Sequence, residues 1–134
     1  MDLANFHGRF DAIVLSEVLE HLADPWLTVK RLATCLKPGG SVIASSPNVC
    51  HRSVILKLFR GQFDYAEAGV MDRSHLRWFT PSSYEAVFTA AGFETIHLGP
   101  IRKPGALVRM FNALTGQRFK HLSMSQILFQ GRLH

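Results

Sequence analysis

The sequence predicts an α/β fold built on a parallel pair of strands. Three observations carry this expectation. Ala12-Ile13-Val14-Leu15 is an apolar run of the kind found in strands covered on both faces. A helical pattern follows from Asp24-Pro25, with apolar positions at Trp26, Val29, Leu32, Ala33 and Leu36. Lys37-Pro38-Gly39-Gly40 ends that pattern, and a second apolar run, Ser41-Val42-Ile43-Ala44-Ser45, comes directly after. Strand, helix, strand over this length makes a crossover, and the handedness rule makes the two strands parallel neighbours.

The elements follow in order. Residues 1–9 are a polar lead-in to a strand over 11–15. Asp24 is placed as an N-cap with Pro25 at the first helical position. Pro38 cannot continue the helix, and glycine accepts the left-handed turn that stops it. After the strand at 41–45, Ser46-Pro47-Asn48 is a loop and residues 53–59 form a helix. Gly61 to Arg77 has weak periodicity and many polar groups, so it reads as a long ordered loop or lid. Thr80-Pro81 repeats the cap-plus-proline signal. Tyr84, Val87, Phe88 and Ala91 then share a helical face, with Gly92 as the stop. Residues 93–98 form a third strand, 106–114 a helix ended near Gly116, and 126–133 a last strand. No repeat or linker divides the chain, so residues 1–134 are expected to form one domain.

Composition narrows the class. The chain has 134 residues, 47% of them hydrophobic, which excludes intrinsic disorder. Two cysteines, Cys35 and Cys50, make no disulfide framework and suit a reducing compartment. No apolar run reaches the ~18 residues of a membrane span, and the first residues lack signal-peptide character. A cytoplasmic protein is the expectation. The net charge of +5 is uneven. All ten acids lie between Asp2 and Glu94; after them come Arg102, Lys103, Arg109, Arg118, Lys120 and Arg132 with no acid. Such a region is either a solvated basic face or a surface for an anionic lipid, a nucleic acid or a phosphorylated substrate.

The chemistry concentrates after the first strand. Glu17, Glu20 and His21 stand at i, i+3 and i+4, the spacing that shares one face of a helical turn. Two carboxylates and an imidazole suit Mg²⁺, Mn²⁺ or Zn²⁺. The same residues also suit a helix cap with hydrogen bonds to a neighbouring loop. Asn48 is open to two readings, a substrate contact or a turn closed on its own backbone. Arg77 pairs either with an anionic group or with Asp72. Trp26, Tyr84 and Phe88 read as core. Neither cysteine has a His–Asp partner series, and there is no phosphate-binding loop or zinc cysteine cluster. The basic C-terminal part lacks interleaved aromatics for single-strand stacking.

The ordered set Phe10-Asp11, Glu17-Val18-Leu19-Glu20-His21-Leu22, Asp24-Pro25, Leu36-Lys37-Pro38-Gly39-Gly40 and Ser46-Pro47-Asn48 resembles class I S-adenosylmethionine-dependent methyltransferases. The resemblance is to the group containing the ubiquinone-biosynthesis O-methyltransferases. Asp72-Arg73-Ser74-His75-Leu76-Arg77-Trp78-Phe79-Thr80 and Ala91-Gly92-Phe93 extend it, over roughly residues 10 to 98. It implies a Rossmann-like sheet in which 11–15 is the fourth strand and 41–45 the fifth. Strand 93–98 is then the sixth, and 126–133 the seventh, antiparallel and inserted between fifth and sixth. It implies methyl transfer from S-adenosylmethionine to a hydroxyl on a small or lipid- or sugar-linked molecule. Ser16 and Glu17 are placed beside the methionine part of the cofactor. Glu17, Glu20, His21 and His75 are placed to activate the hydroxyl, directly or through a divalent metal such as Mg²⁺. Asn48, Arg77 and Trp78 are placed around the substrate.

One departure stands out. The family's Gly-rich loop and the acid that binds the ribose are absent before residue 10, where Gly8 is the only glycine. The chain is therefore expected to be the C-terminal half of such an enzyme, working as a homodimer or with a missing N-terminal half. The rival expectation is a non-catalytic module that recruits a partner through the bare edge of strand 11–15.

Overall fold

The computed structural model describes residues 3–134. Its elements are β1 (Phe10–Ser16), α1 (Pro25–Ala33), β2 (Leu36–Pro47), α2 (Arg52–Phe59), α3 (Pro81–Thr89), β3 (Phe93–Pro100), α4 (Ala106–Leu114) and β4 (Gln126–Leu133). Short 3₁₀ turns stand at Ala4–Phe6, Leu19–His21 and Lys120–Ser123. The sheet order is β1-β2-β4-β3, with β1 parallel to β2 and β4 antiparallel to both its neighbours. This is the expected arrangement, including the inserted antiparallel last strand.

The caps explain the helix starts. Asp24 accepts the Leu27 N–H at 2.8 Å, with Pro25 at the first helical position. Thr80 and Ser83 form a reciprocal pair: Thr80 Oγ1 accepts from the Ser83 N–H at 3.1 Å, and Ser83 Oγ accepts from the Thr80 N–H at 2.9 Å. The first helix stops sooner than its apolar pattern suggests, at Ala33, because Cys35 and Leu36 already turn into the sheet.

Lys37-Pro38-Gly39-Gly40 differs from the expected stop between helix and strand. It is a bulge within β2. Phe10 faces Leu36 and Ala12 faces Ser41, so four residues of β2 stand against one of β1. Gly39 takes φ +74°, and a Cβ on Gly40 would lie 2.9 Å from the Lys37 carbonyl oxygen. The turn therefore closes too tightly for side chains there.

The core lies between one face of the sheet and helices α1 and α3. Tyr84, Val87 and Phe88 of α3 pack with Val42 and Ala44 of β2, Ile127 and Phe129 of β4, and Phe93 of β3. Phe88 stacks on Phe129, ring centroids 4.2 Å apart and 12° from parallel. The buried Tyr84 hydroxyl donates to the Ser45 carbonyl at 2.9 Å. Trp26 corrects the sequence reading: it is half-exposed, because α1 turns Val29 and Ala33 inward instead. On the other side of the sheet, the neighbours Val14 and Ile43 stand exposed, as does Ala12. At the free edge of β1, on the α1 side, Phe6, Phe10, Ile13, Leu32 and Cys35 line an apolar hollow of about 280 Å³. An apolar strand is thus left open on one face and along one edge.

Asn48 is fully buried at the end of β2, and its side chain is spent on the protein itself. Its Nδ2 donates to the carbonyls of His121 and Met124, both at 2.7 Å, and its Oδ1 accepts the Cys50 N–H at 3.0 Å. Of the two sequence readings, the geometry is that of the turn, extended into a clamp on the β3–β4 connection. Asn48→Ala should lower stability in urea unfolding by about 2–4 kcal/mol, since two backbone carbonyls lose their donor. An unchanged midpoint would remove the clamp.

Candidate functional site

The chain leaves β1 through Glu17, which takes φ +52°, a conformation uncommon outside glycine. Val18 returns to right-handed values, and the Leu19–His21 turn follows. This 3₁₀ turn points Glu20 into the protein, 1% exposed, and leaves His21 at the surface. The expected helical face therefore does not form from Glu17: the left-handed residue swings its side chain out of line with Glu20 and His21.

The segment 70–79 closes over this turn. The Glu20 carbonyl accepts the N–H groups of Leu76 at 2.7 Å and Arg77 at 3.0 Å. Further along, the Val49 N–H donates to the Phe79 carbonyl at 3.0 Å, tying the segment to the end of β2. His75 is buried by this closure and brought to His21, ring centroids 4.8 Å apart at 70°. Glu20, His21 and His75 each offer a ligand atom, and these atoms lie within 4.8 Å of one another. Glu17 lies outside that group.

The neighbours of the three residues set their state. His75 Nδ1 is 3.1 Å from the Val70 carbonyl, which only accepts, so Nδ1 carries the proton and Nε2 keeps its lone pair. His21 Nδ1 lies 3.3 Å from the Ser74 carbonyl and 3.4 Å from the Ser74 hydroxyl. A carbonyl behind each imidazole is the usual support of a ligating histidine. Glu20 Oε2 accepts from Ser46 Oγ at 3.2 Å, while Oε1 is buried with no partner. Burial pushes the Glu20 carboxyl above the ordinary glutamate range, and the charge of Glu17 adds to this. Its hydrogen bonds and the nearby His75 oppose the rise. Glu17 Oε1 is likewise buried without a partner. Each of the two carboxylates thus keeps one buried oxygen that no protein donor reaches.

The remaining sequence candidates fall as follows. Ser16 is exposed at the end of β1, its Oγ 3.4 Å from Ser45 Oγ. Arg77 does not pair with Asp72. It donates to the carbonyls of Ala23 and Leu76, and its guanidinium carbon lies 6.0 Å from the centre of the Trp26 ring. Asp72 instead accepts from Ser74, N–H at 2.8 Å and Oγ at 2.7 Å, and these bonds lower its pKa. Trp78 donates to the Val70 carbonyl at 3.1 Å and sits among Phe63 and Tyr65, with centroids 6.0 and 6.1 Å away. Ser46 and the carbonyls of Val70 and Ser74 were not legible as site groups. A serine inside an apolar strand was the one available signal.

Comparison with known proteins agrees with this architecture. A family described as "Methyltransferase domain" matches residues 1–98. The ubiquinone biosynthesis O-methyltransferase of Azorhizobium caulinodans is 33% identical over 100 residues, covering 72% of this chain and 38% of that protein. The enzyme of the same description from Aromatoleum aromaticum is 33% identical over 105 residues, covering 71% of this chain and 41% of its own. The chain thus spans about two-fifths of the length of these relatives. Among solved structures, a SAM-dependent methyltransferase from Archaeoglobus fulgidus superposes with TM-score 0.63 at 12% identity, covering 95% of this chain and 61% of that one. One from Mesorhizobium loti gives 0.59 at 15% identity, covering 94% and 62%. These likenesses establish the fold. By sequence and by fold, this chain belongs to the methyltransferase-domain family of class I, S-adenosylmethionine-dependent enzymes.

Proposed function

We propose that this chain forms the acceptor side of an S-adenosylmethionine-dependent O-methyltransferase. The observation that carries the proposal is the Glu20–His21–His75 group at the carboxyl end of β1, with its unpartnered carboxylate oxygen. For a hydroxyl admitted to this buried group, Glu20 Oε1 and His75 Nε2 would be two acceptors for its proton. Burial makes the ionised Glu20 a stronger base than an exposed glutamate, which suits proton removal from an alcohol or phenol. S-adenosylmethionine, when bound, would supply the electrophilic methyl group for the oxygen whose proton Glu20 or His75 takes up. Ser16 and Glu17 fit the methionine end of that cofactor, because Glu17 holds an orphaned oxygen there. No Gly-rich strand-to-helix loop for the adenosyl end occurs among the described residues. The substrate is a small, lipid-linked or sugar-linked hydroxyl compound.

The donor set also fits a divalent cation. Glu20 with His21 and His75 offers one oxygen and two nitrogens with carbonyls behind both rings, and a bound cation would lower the pKa of a coordinated hydroxyl. Manganese titrated calorimetrically into the chain should bind, and Glu20→Ala and His75→Ala should each weaken it by about ten-fold or more. Equal affinities in all three proteins would remove the cation site.

The open side of β1 supports a further part of the reading. Ala12 and Val14 are exposed in an apolar strand that pairs only with β2. In the working protein, further polypeptide covers this edge and supplies the adenosyl side. The free thiols Cys35 and Cys50 suit a cytoplasmic setting. Calorimetry with S-adenosylmethionine tests the division of labour. The chain alone should show no binding at micromolar concentration, and micromolar binding would overturn it.

A further inference from the structure

Helix α4 is built inside out. Leu107, Met110, Phe111 and Leu114 recur at i, i+3, i+4 and i+7, the stripe that a helix normally turns to the core. Here all four face solvent, with Leu107 and Leu114 78% and 80% exposed. The side toward the protein carries Asn112, which is buried and reaches Ser123 Oγ at 3.4 Å. A groove of about 300 Å³ runs along the helix, with Phe119 and Leu122 on its other wall and Arg52 at its rim. The loops at both ends of α4 add Arg102, Lys103, Arg118 and Lys120, all exposed. The nearest acid before them in the chain is Glu94, and none follows.

We propose that α4 docks on an anionic lipid surface, its apolar stripe entering the headgroup boundary and its flanking cations meeting lipid phosphates. An apolar helical face bordered by Lys and Arg is the pattern of helices that lie in a membrane interface. The charge argues against a second copy, since pairing two α4 faces would bring like cations together. The apolar stripe argues against nucleic acid, which would leave four exposed hydrophobic side chains in water. The unpaired β1 edge lies at the far side of the sheet, so polypeptide covering β1 leaves α4 free. Because β3 is parallel to β2, α4 follows β3 at the same end of the sheet as the Glu20–His21–His75 group. The docking itself does not depend on the proposed methyl transfer.

Co-sedimentation of the full chain with vesicles tests this. The protein should pellet with phosphatidylcholine vesicles containing phosphatidylglycerol, and about ten-fold less tightly with phosphatidylcholine alone. Leu107→Asp combined with Leu114→Asp should lose about ten-fold or more in affinity for the anionic vesicles. Both side chains are exposed, so its circular dichroism and manganese affinity should match wild type, which separates this test from the proposed activity. Wild type remaining in the supernatant, or equal pelleting by the double variant, would overturn the proposal. So would a doubled mass in light scattering that the double variant reduces to one chain, because the stripe would then serve a second copy.

Discussion

Two hydrogen bonds to one carbonyl hold the site together. The oxygen of Glu20 receives the N–H groups of Leu76 and Arg77, and this joins the turn after β1 to a segment more than fifty residues away. The segment has little regular structure of its own, being fixed by the Ala66–Asp72 bridge and by its link to β2 near Phe79. With the His21–Ser74 contact and the Arg77 bond to Ala23, the Glu20 carbonyl brings His75 against His21. The same residue therefore supplies backbone to build the site and a carboxylate to work in it. That carboxylate is shielded from water, shares one oxygen with Ser46 and leaves the other without a partner. A buried group in that condition costs stability unless a proton, a cation or a ligand donor completes it.

The end of β2 is the second fixed point. Ser45, Ser46, Pro47 and Asn48 are all buried there. Ser45 receives the Tyr84 hydroxyl, Ser46 faces Glu20, and Asn48 grips the connection that carries α4. Four consecutive residues thus couple the core helix, the acidic turn and the C-terminal connection. The polar groups are satisfied locally, so this end of the sheet is rigid where the proposed chemistry occurs and where α4 is positioned.

Much of the fold was legible because it rests on local rules. Asp24-Pro25 and Thr80-Pro81 are starts that need only their own turn, and α4 and β4 have the bounds their periodicity implies. The sheet order came from resemblance. What escaped depends on distant partners. Glu17 adopts its left-handed backbone in a turn whose shape no i, i+3, i+4 count reveals, so it leaves the group it was expected to join. Lys37–Gly40 reads as a stop, yet its register against β1 makes it a bulge. Trp26 fits an apolar helical pattern, but α1 meets α3 through Val29 and Ala33. The α4 stripe has the spacing of a core face, and only the three-dimensional packing turns it outward.

The measurement closest to the centre of this account is a carbon-13 NMR titration of the glutamate carboxyls in chelator-treated protein. Glu20, desolvated and beside Glu17, should titrate above the ordinary glutamate range. Its proton is then held to higher pH in the folded than in the unfolded chain, so its contribution to stability falls as pH rises through that window. A Glu20 midpoint in the ordinary glutamate range would mean that the carboxylate is solvated, and the buried Glu20–His21–His75 site would not exist as described.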